Sequence, residues 1–138
     1  MAGGRREIEV GGGAPWLVFI ELEADREYLA LVTYFLLKSL WRLPRFVRLT
    51  LAVRRQLADG PRGLVGYSMT AKPLRRFWTM SAWESEKDLR SFIRTLPHAR
   101  AVVELPQSME KFDAQRWRAR GKELPPTWEE ALRHLPGA

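Results

Sequence analysis

Side chains able to do chemistry are few in this chain, and most of them fall between Tyr34 and His98. There are two histidines, His98 and His134, and no cysteine. Without cysteine there is no disulfide, thiolate metal site or cysteine nucleophile, and two distant histidines make a poor zinc site. His98 is the one histidine in the middle of the chain. Facing a pocket, its imidazole could take a proton from an acidic phenol or bind haem iron through one ring nitrogen. It also follows Pro97 and opens a helical piece, so capping backbone amides or filling a subunit contact is an equally physical role. Tyr34 and Tyr67 could donate their hydroxyls to a developing oxyanion. Trp78 and Trp83 could stack on an aromatic substrate, although their area serves a core just as well. Arg75 and Arg76 sit at a turn, where Arg76 could hold an anionic substrate or simply face water.

The elements that position these residues are legible from periodicity. From Arg76 to Trp83 the side chains alternate, with Phe77, Thr79, Ser81 and Trp83 on one face and Trp78, Met80 and Ala82 on the other. Both faces are largely apolar, so the sheet needs two covers. Trp16–Glu23 reads as an outer strand, followed by a turn over residues 24–26 and a central strand over Tyr28–Leu37. Pro44 suits a first helical turn, and Phe46, Leu49, Val53 and Leu57 recur at helical spacing, predicting a helix from Pro44 to Leu57. Leu64–Lys72 places Val65, Tyr67, Met69 and Ala71 opposite Gly66, Ser68, Thr70 and Lys72, and it pairs with Arg76–Trp83 as a hairpin broken at Pro73. Ser85 and Asp88 resemble a capping box before the stripe Leu89, Phe92, Ile93 and Leu96. A second helical piece over His98–Leu105 and a strand over Met109–Arg118 complete the series.

Strand, helix, hairpin, helix, strand is the order of an α+β ferredoxin-like plait, an antiparallel sheet with helices on one face. The domain is expected to span residues 15–120, after a flexible glycine-rich tail (residues 1–14) and before a linker and docking helix (residues 121–138). In that last segment Thr127 and Glu130 form a capping-box pair, Trp128, Leu132 and Leu135 form a stripe, and His134 complements the dipole of the final turn. Phe35, Tyr67, Trp78 or Trp83 would contribute to the bare sheet face. Exposed aromatics of that number call for a second subunit packed sheet on sheet, a homodimer with pockets between sheet and helices.

Charge and length bound the partners. The 138 residues carry 23 basic and 16 acidic side chains, for a net charge of +7, with arginines at 42, 45, 48, 54, 55 and 62. On a helix Arg48 and Arg55 align while Arg54 turns away, and no Gly-rich phosphate loop follows, so a solvated or interface-facing helix ranks above nucleic-acid binding. The N-terminal residues lack the apolar core of a signal peptide, and the apolar run Tyr28–Leu37 is far short of the ~20 residues that span a bilayer. A soluble cytoplasmic protein without a membrane partner is expected.

The run F-W-T-x-S-x-W-E-S at Phe77–Ser85, followed by a capped helix and P-H-A-R-A at Pro97–Ala101, resembles the dimeric α/β-barrel families related to antibiotic-biosynthesis monooxygenases. A more distant similarity is to the spheroidene monooxygenase family. The resemblance covers about Tyr28 to Arg118 and implicates Trp78, Trp83 and His98. It implies a monooxygenase-like oxidoreductase acting on a small hydrophobic or phenolic substrate in an aromatic-lined pocket, with haem and cofactor-free oxygenation both open. The asparagine of cofactor-free quinone-forming members has no match here. The alternative is a non-catalytic dimeric module that binds a small apolar or aromatic ligand or a protein partner.

Overall fold

A strand that is apolar on both faces fixes what the rest of the chain must do. In a computed structural model, which describes residues 6–12, 14–73 and 75–135, the chain runs in the following order. The elements are β1 (Glu7–Ile8), β2 (Trp16–Val18), β3 (Glu27–Leu37), α1 (Leu43–Ala58), β4 (Leu64–Lys72), β5 (Arg76–Trp83), α2 (Glu86–Arg94), α3 (His98–Glu104), β6 (Met109–Arg120) and α4 (Trp128–Leu132). The strands form one antiparallel sheet in the order β1-β2-β4-β5-β3-β6. Its last four strands, with α1, α2 and α3, are the expected ferredoxin-like plait. The hairpin strands β4 and β5 have the predicted bounds. Ser85 Oγ accepts from the Asp88 amide at 3.1 Å and starts α2, while Thr127 and Glu130 cap α4 reciprocally.

Odd-numbered residues of β3 and β5 face the helices. Leu29, Leu64, Tyr67 and Trp83 pack with Leu57, Leu89 and Phe92, and Leu37 packs with Phe46, Leu49, Ala101 and Leu105. Phe46 and Phe77 approach to 4.3 Å between ring centroids, which closes α1 onto β5. The opposite face carries Tyr28, Ala30, Val32, Tyr34, Met80, Ala82 and Ala119, and it is not left bare. Val10 and Trp16 from the N-terminal side, and Leu124, Trp128, Ala131 and Leu135 from the C-terminal side, are buried against it. Ser68 joins the two segments: its hydroxyl accepts from Trp128 Nε1 at 3.2 Å and donates to the Ala14 carbonyl at 2.6 Å. The Trp128 amide donates to the Val10 carbonyl at 2.8 Å.

Three expectations change. Residues 6–12 are not a free tail, because Glu7–Ile8 pairs with β2 and Val10 is buried at 3% exposure; residues 1–5 and 13 lie outside the described residues. The outer strand ends at Val18 instead of Glu23, although the Phe19 and Ile20 amides still reach the Val65 carbonyl. The second cover of the sheet is supplied by this chain's own ends, and of Phe35, Tyr67, Trp78 and Trp83 only Trp78 lies on that face. Alternation reveals that a face is apolar, but not which segment covers it. Gly66 is what lets Trp16 lie so close, since a Cβ there would overlap the Trp16 indole and the Leu17 carbonyl.

Trp128→Ala should lower stability by about 3–5 kcal/mol, through lost burial and a cavity, and Gly66→Ala should destabilise through overlap with Trp16. Urea unfolding reads both. A wild-type midpoint for Trp128→Ala would mean that the C-terminal segment is not part of the core.

Candidate functional site

Strand register gathers side chains that lie far apart in sequence. Thr70 pairs with Trp78, Trp78 with Tyr34, and Tyr34 with Asp113, so these four form one row across β4, β5, β3 and β6. The next row outward is Lys72, Arg76, Leu36 and Lys111. In an antiparallel sheet directly opposed residues point to the same face, and here it is the face turned away from α1–α3. The terminal segments are anchored one row inward, where Trp128 meets Ser68. Beyond that anchor Thr70, Trp78 and Asp113 are half-buried, while Lys72, Arg76 and Lys111 are exposed.

Tyr34 is buried, with its ring 5.1 Å from that of Trp78. The indole Nε1 of Trp78 is buried and has no hydrogen-bond partner among the described residues. A buried donor left unpaired carries a desolvation cost of about 1–3 kcal/mol, so an acceptor brought to it gains more than one exchanged with water would. Asp113 accepts from Gln115 Nε2 at 3.1 Å. The row thus combines a hydroxyl, an indole N–H, a phenol and a carboxylate, bordered by three cations. Hydroxyls and an indole N–H are donors to an oxygen-bearing ligand, and a carboxylate is the group of the four that takes up a proton.

The other predicted residues lie elsewhere. Trp83 and Tyr67 face the helices: Trp83 Nε1 donates to Ser81 Oγ at 3.0 Å and its ring packs on Phe92, while Tyr67 packs on Phe19. Arg76 belongs to the cationic border, whereas Arg75 bonds the Leu37 carbonyl and pairs with Glu110. His98 is also on the helix side. Its backbone amide donates to Gln56 Oε1 at 3.0 Å, its Nδ1 lies 3.3 Å from the Ile93 carbonyl, and its ring packs 4.9 Å from Phe92. It ties α1 to the start of α3. Burial pushes its pKa down, opposed by the bond to Ile93. His134 stacks on Trp117 at 3.8 Å, fastening the C-terminal segment to β6.

Haem does not fit these residues. An axial histidine needs a ring nitrogen facing an apolar slot; His98 is wedged between helices and lines neither of two open clefts. One, of about 270 Å³, lies beside it between α1 and α2 and has the charged groups of Asp59, Arg62 and Asp88 in its lining. The other, of about 250 Å³, lies between β2 and Leu124. Both fall below the ~300 Å³ at which ligand pockets begin, and neither is lined by Tyr34, Tyr67, Arg76, Trp78 or Trp83. The aromatic-lined pocket between sheet and helices is instead packed core.

Thr70, Lys72, Lys111 and Asp113 escaped the sequence reading. Thr70 and Lys72 stood on a correctly read face of β4, but nothing local places Asp113 opposite Tyr34, 79 residues away in the chain.

No protein-family model and no curated protein sequence matches the chain. Solved structures do. A Shewanella oneidensis protein superposes with a TM-score of 0.59 at 10% identity, over 70% of this chain and 95% of that one. A candidate antibiotic biosynthesis monooxygenase from Nitrosomonas europaea gives 0.56 at 19% identity, over 75% and 95%. Another antibiotic biosynthesis monooxygenase gives 0.56 at 13%, over 66% and 95%. At these identities the likeness shows the fold, the ferredoxin-like arrangement of antibiotic-biosynthesis-monooxygenase-like proteins. Those chains are matched almost whole while part of this one is left over. The plait from Glu27 to Arg120 is itself about two thirds of the chain, so the surplus has the size of the terminal segments.

His98 gives a pH signature. Its folded pKa lies below the ordinary 6.5, so below pH 6.5 the unfolded chain binds a proton that the folded one resists. Its contribution to stability is present above pH 6.5 and is lost as the pH falls from there towards the lowered pKa. His98→Gln should flatten that part of the profile in urea unfolding between pH 7.5 and 5.5; an unchanged acid slope would show that the imidazole is not the group responsible.

Proposed function

We propose that this chain is a monooxygenase-like oxidoreductase that takes a small phenolic or aromatic substrate against the row Thr70, Trp78, Tyr34 and Asp113. The fold shared with antibiotic biosynthesis monooxygenases supports the reaction class. The observation that carries the site is the buried indole N–H of Trp78 beside Tyr34, which has no hydrogen-bond partner among the described residues.

The chemistry follows from the donor set. Asp113 accepts the phenolic proton, and the phenolate oxygen is held by the Trp78 N–H and Tyr34 O–H, with Arg76, Lys72 and Lys111 favouring the anion. The electron-rich ring forms a carbon–oxygen bond to dioxygen and, with one proton, becomes a hydroperoxide. Cleavage of the O–O bond with loss of water leaves a quinone. One oxygen atom ends in the product and one in water, and the substrate supplies all the electrons, so no cofactor enters the balance.

A second reading is a non-catalytic dimeric module that binds a small ligand or a partner protein. It is favoured by the exposure of Lys72, Arg76 and Lys111 beside the row, since oxygenation proceeds best where water is excluded. A homodimer meeting at this exposed border would shield it from water, so the first reading also gains from a second copy.

Titration with naphthols should give saturable binding that Trp78→Phe weakens roughly tenfold, the worth of one hydrogen bond to a charged acceptor, without lowering the unfolding free energy by more than about 1 kcal/mol. Asp113→Asn should stop oxygen consumption while binding persists. Binding without oxygen uptake by the wild type would leave only the module, and absence of binding to any phenol would remove this site altogether. Sedimentation at several protein concentrations, with and without ligand, tests the dimer.

A further inference from the structure

The outer face of α1 has no counterpart in the chemistry above. From Lys38 to Ala58 there are six cations and no carboxylate. Among the described residues only Arg45 of these six is in an ion pair, with Glu104. At 3.6 residues per turn, Pro44, Val47, Leu51 and Ala58 fall within about 60° of one another around the helix, and all four are exposed. Arg48 and Arg55 border this apolar strip on one side and Arg54 borders it on the other. Just before the helix, Leu40 is half in solvent and Trp41 is 91% exposed. Beside it α3, which packs against Phe46 and Leu49 through Ala101, exposes Val102 and Val103.

From this arrangement we infer that α1 docks the protein onto an anionic lipid surface. An apolar strip flanked by arginines, with a tryptophan at its end, is how an interfacial helix divides its contacts: the strip enters the acyl boundary, the guanidiniums meet phosphates and the indole sits at headgroup depth. Charge complementarity fixes the sign of the surface. Nucleic acid is the poorer fit, because the centre of the face would lay valine and leucine against phosphate while the cations stood at its margins. No helix among the described residues is long and apolar enough to cross a membrane, which bears on spanning and not on lying in the interface. The inner face of α1 is committed to the core through Phe46, Leu49 and Leu57, so docking would leave the fold intact.

Co-sedimentation of the full chain with phosphatidylcholine vesicles, with and without phosphatidylserine, tests this. Binding should require phosphatidylserine and weaken steeply with salt. Arg48→Glu with Arg55→Glu should reduce it at least tenfold, counting about fivefold for each basic residue removed, and Trp41→Ser should reduce it separately. The same change in net charge made at Arg94 and Arg118 should reduce it far less. Unfolding midpoints of the variants should match the wild type, because every substituted side chain faces solvent. The inference is overturned by equal binding to neutral vesicles, by no binding to acidic ones, by equal losses from the control pair, or by duplex DNA outcompeting the vesicles for the same arginines.

Discussion

The structure depends on one constraint: β3 and β5, at the centre of the sheet, are apolar on both sides. Each large apolar side chain taken from water contributes roughly 1.5–3 kcal/mol, and neither face can give up its share. The helices cover one side as in any plait. The other side is covered by two segments that enter from opposite ends of the chain and meet at Ser68, the one polar group at the centre of that cover. Ser68 is buried, and its hydroxyl both accepts and donates, so its position within the apolar layer leaves nothing unpaired. The hydroxyl holds the Trp128 indole and the Ala14 carbonyl together, so loosening either segment disturbs the other.

Where that cover stops decides where a site can be. Past Ser68 the sheet continues for two more rows, and there the buried Trp78 indole N–H has no hydrogen-bond partner among the described residues. A fully covered face would have left only core, and a bare one would have been an adhesive patch. The partial cover leaves a small polar row backed by aromatics. On the helix side Trp83, Phe92 and His98 pack in sequence, each ring against the next, and the cleft between α1 and α2 reaches only Phe92 of the three.

The polar decoration of α1 is independent of all this. Its core-facing residues would serve equally well beneath a neutral solvent face, so the fold does not account for six cations, no carboxylate and an exposed tryptophan. A charge pattern unrelated to folding is more informative about partners than one that also stabilises the chain.

Local signals were enough for most of the elements, though not for β1 or the end of β2. Ser85 with Asp88 and Thr127 with Glu130 mark helix starts through bonds within a few residues, and Pro73 separates two strands whose bounds alternation defines. The split of β5 into a Phe77 face and a Trp78 face follows from the pleat alone. His98 was the most prominent candidate because histidine is rare here, yet its role as a tie between helices depends on Gln56, 42 residues away. Asp113 gave no signal, because a lone carboxylate on an edge strand reads as solvent decoration until register sets it beside Tyr34. Composition and periodicity determined which faces are apolar and where helices and strands begin, since these are set by neighbours in the chain. Tertiary structure alone decided which segments cover those faces and which side chains meet, because both depend on strand register and on contacts between residues distant in sequence.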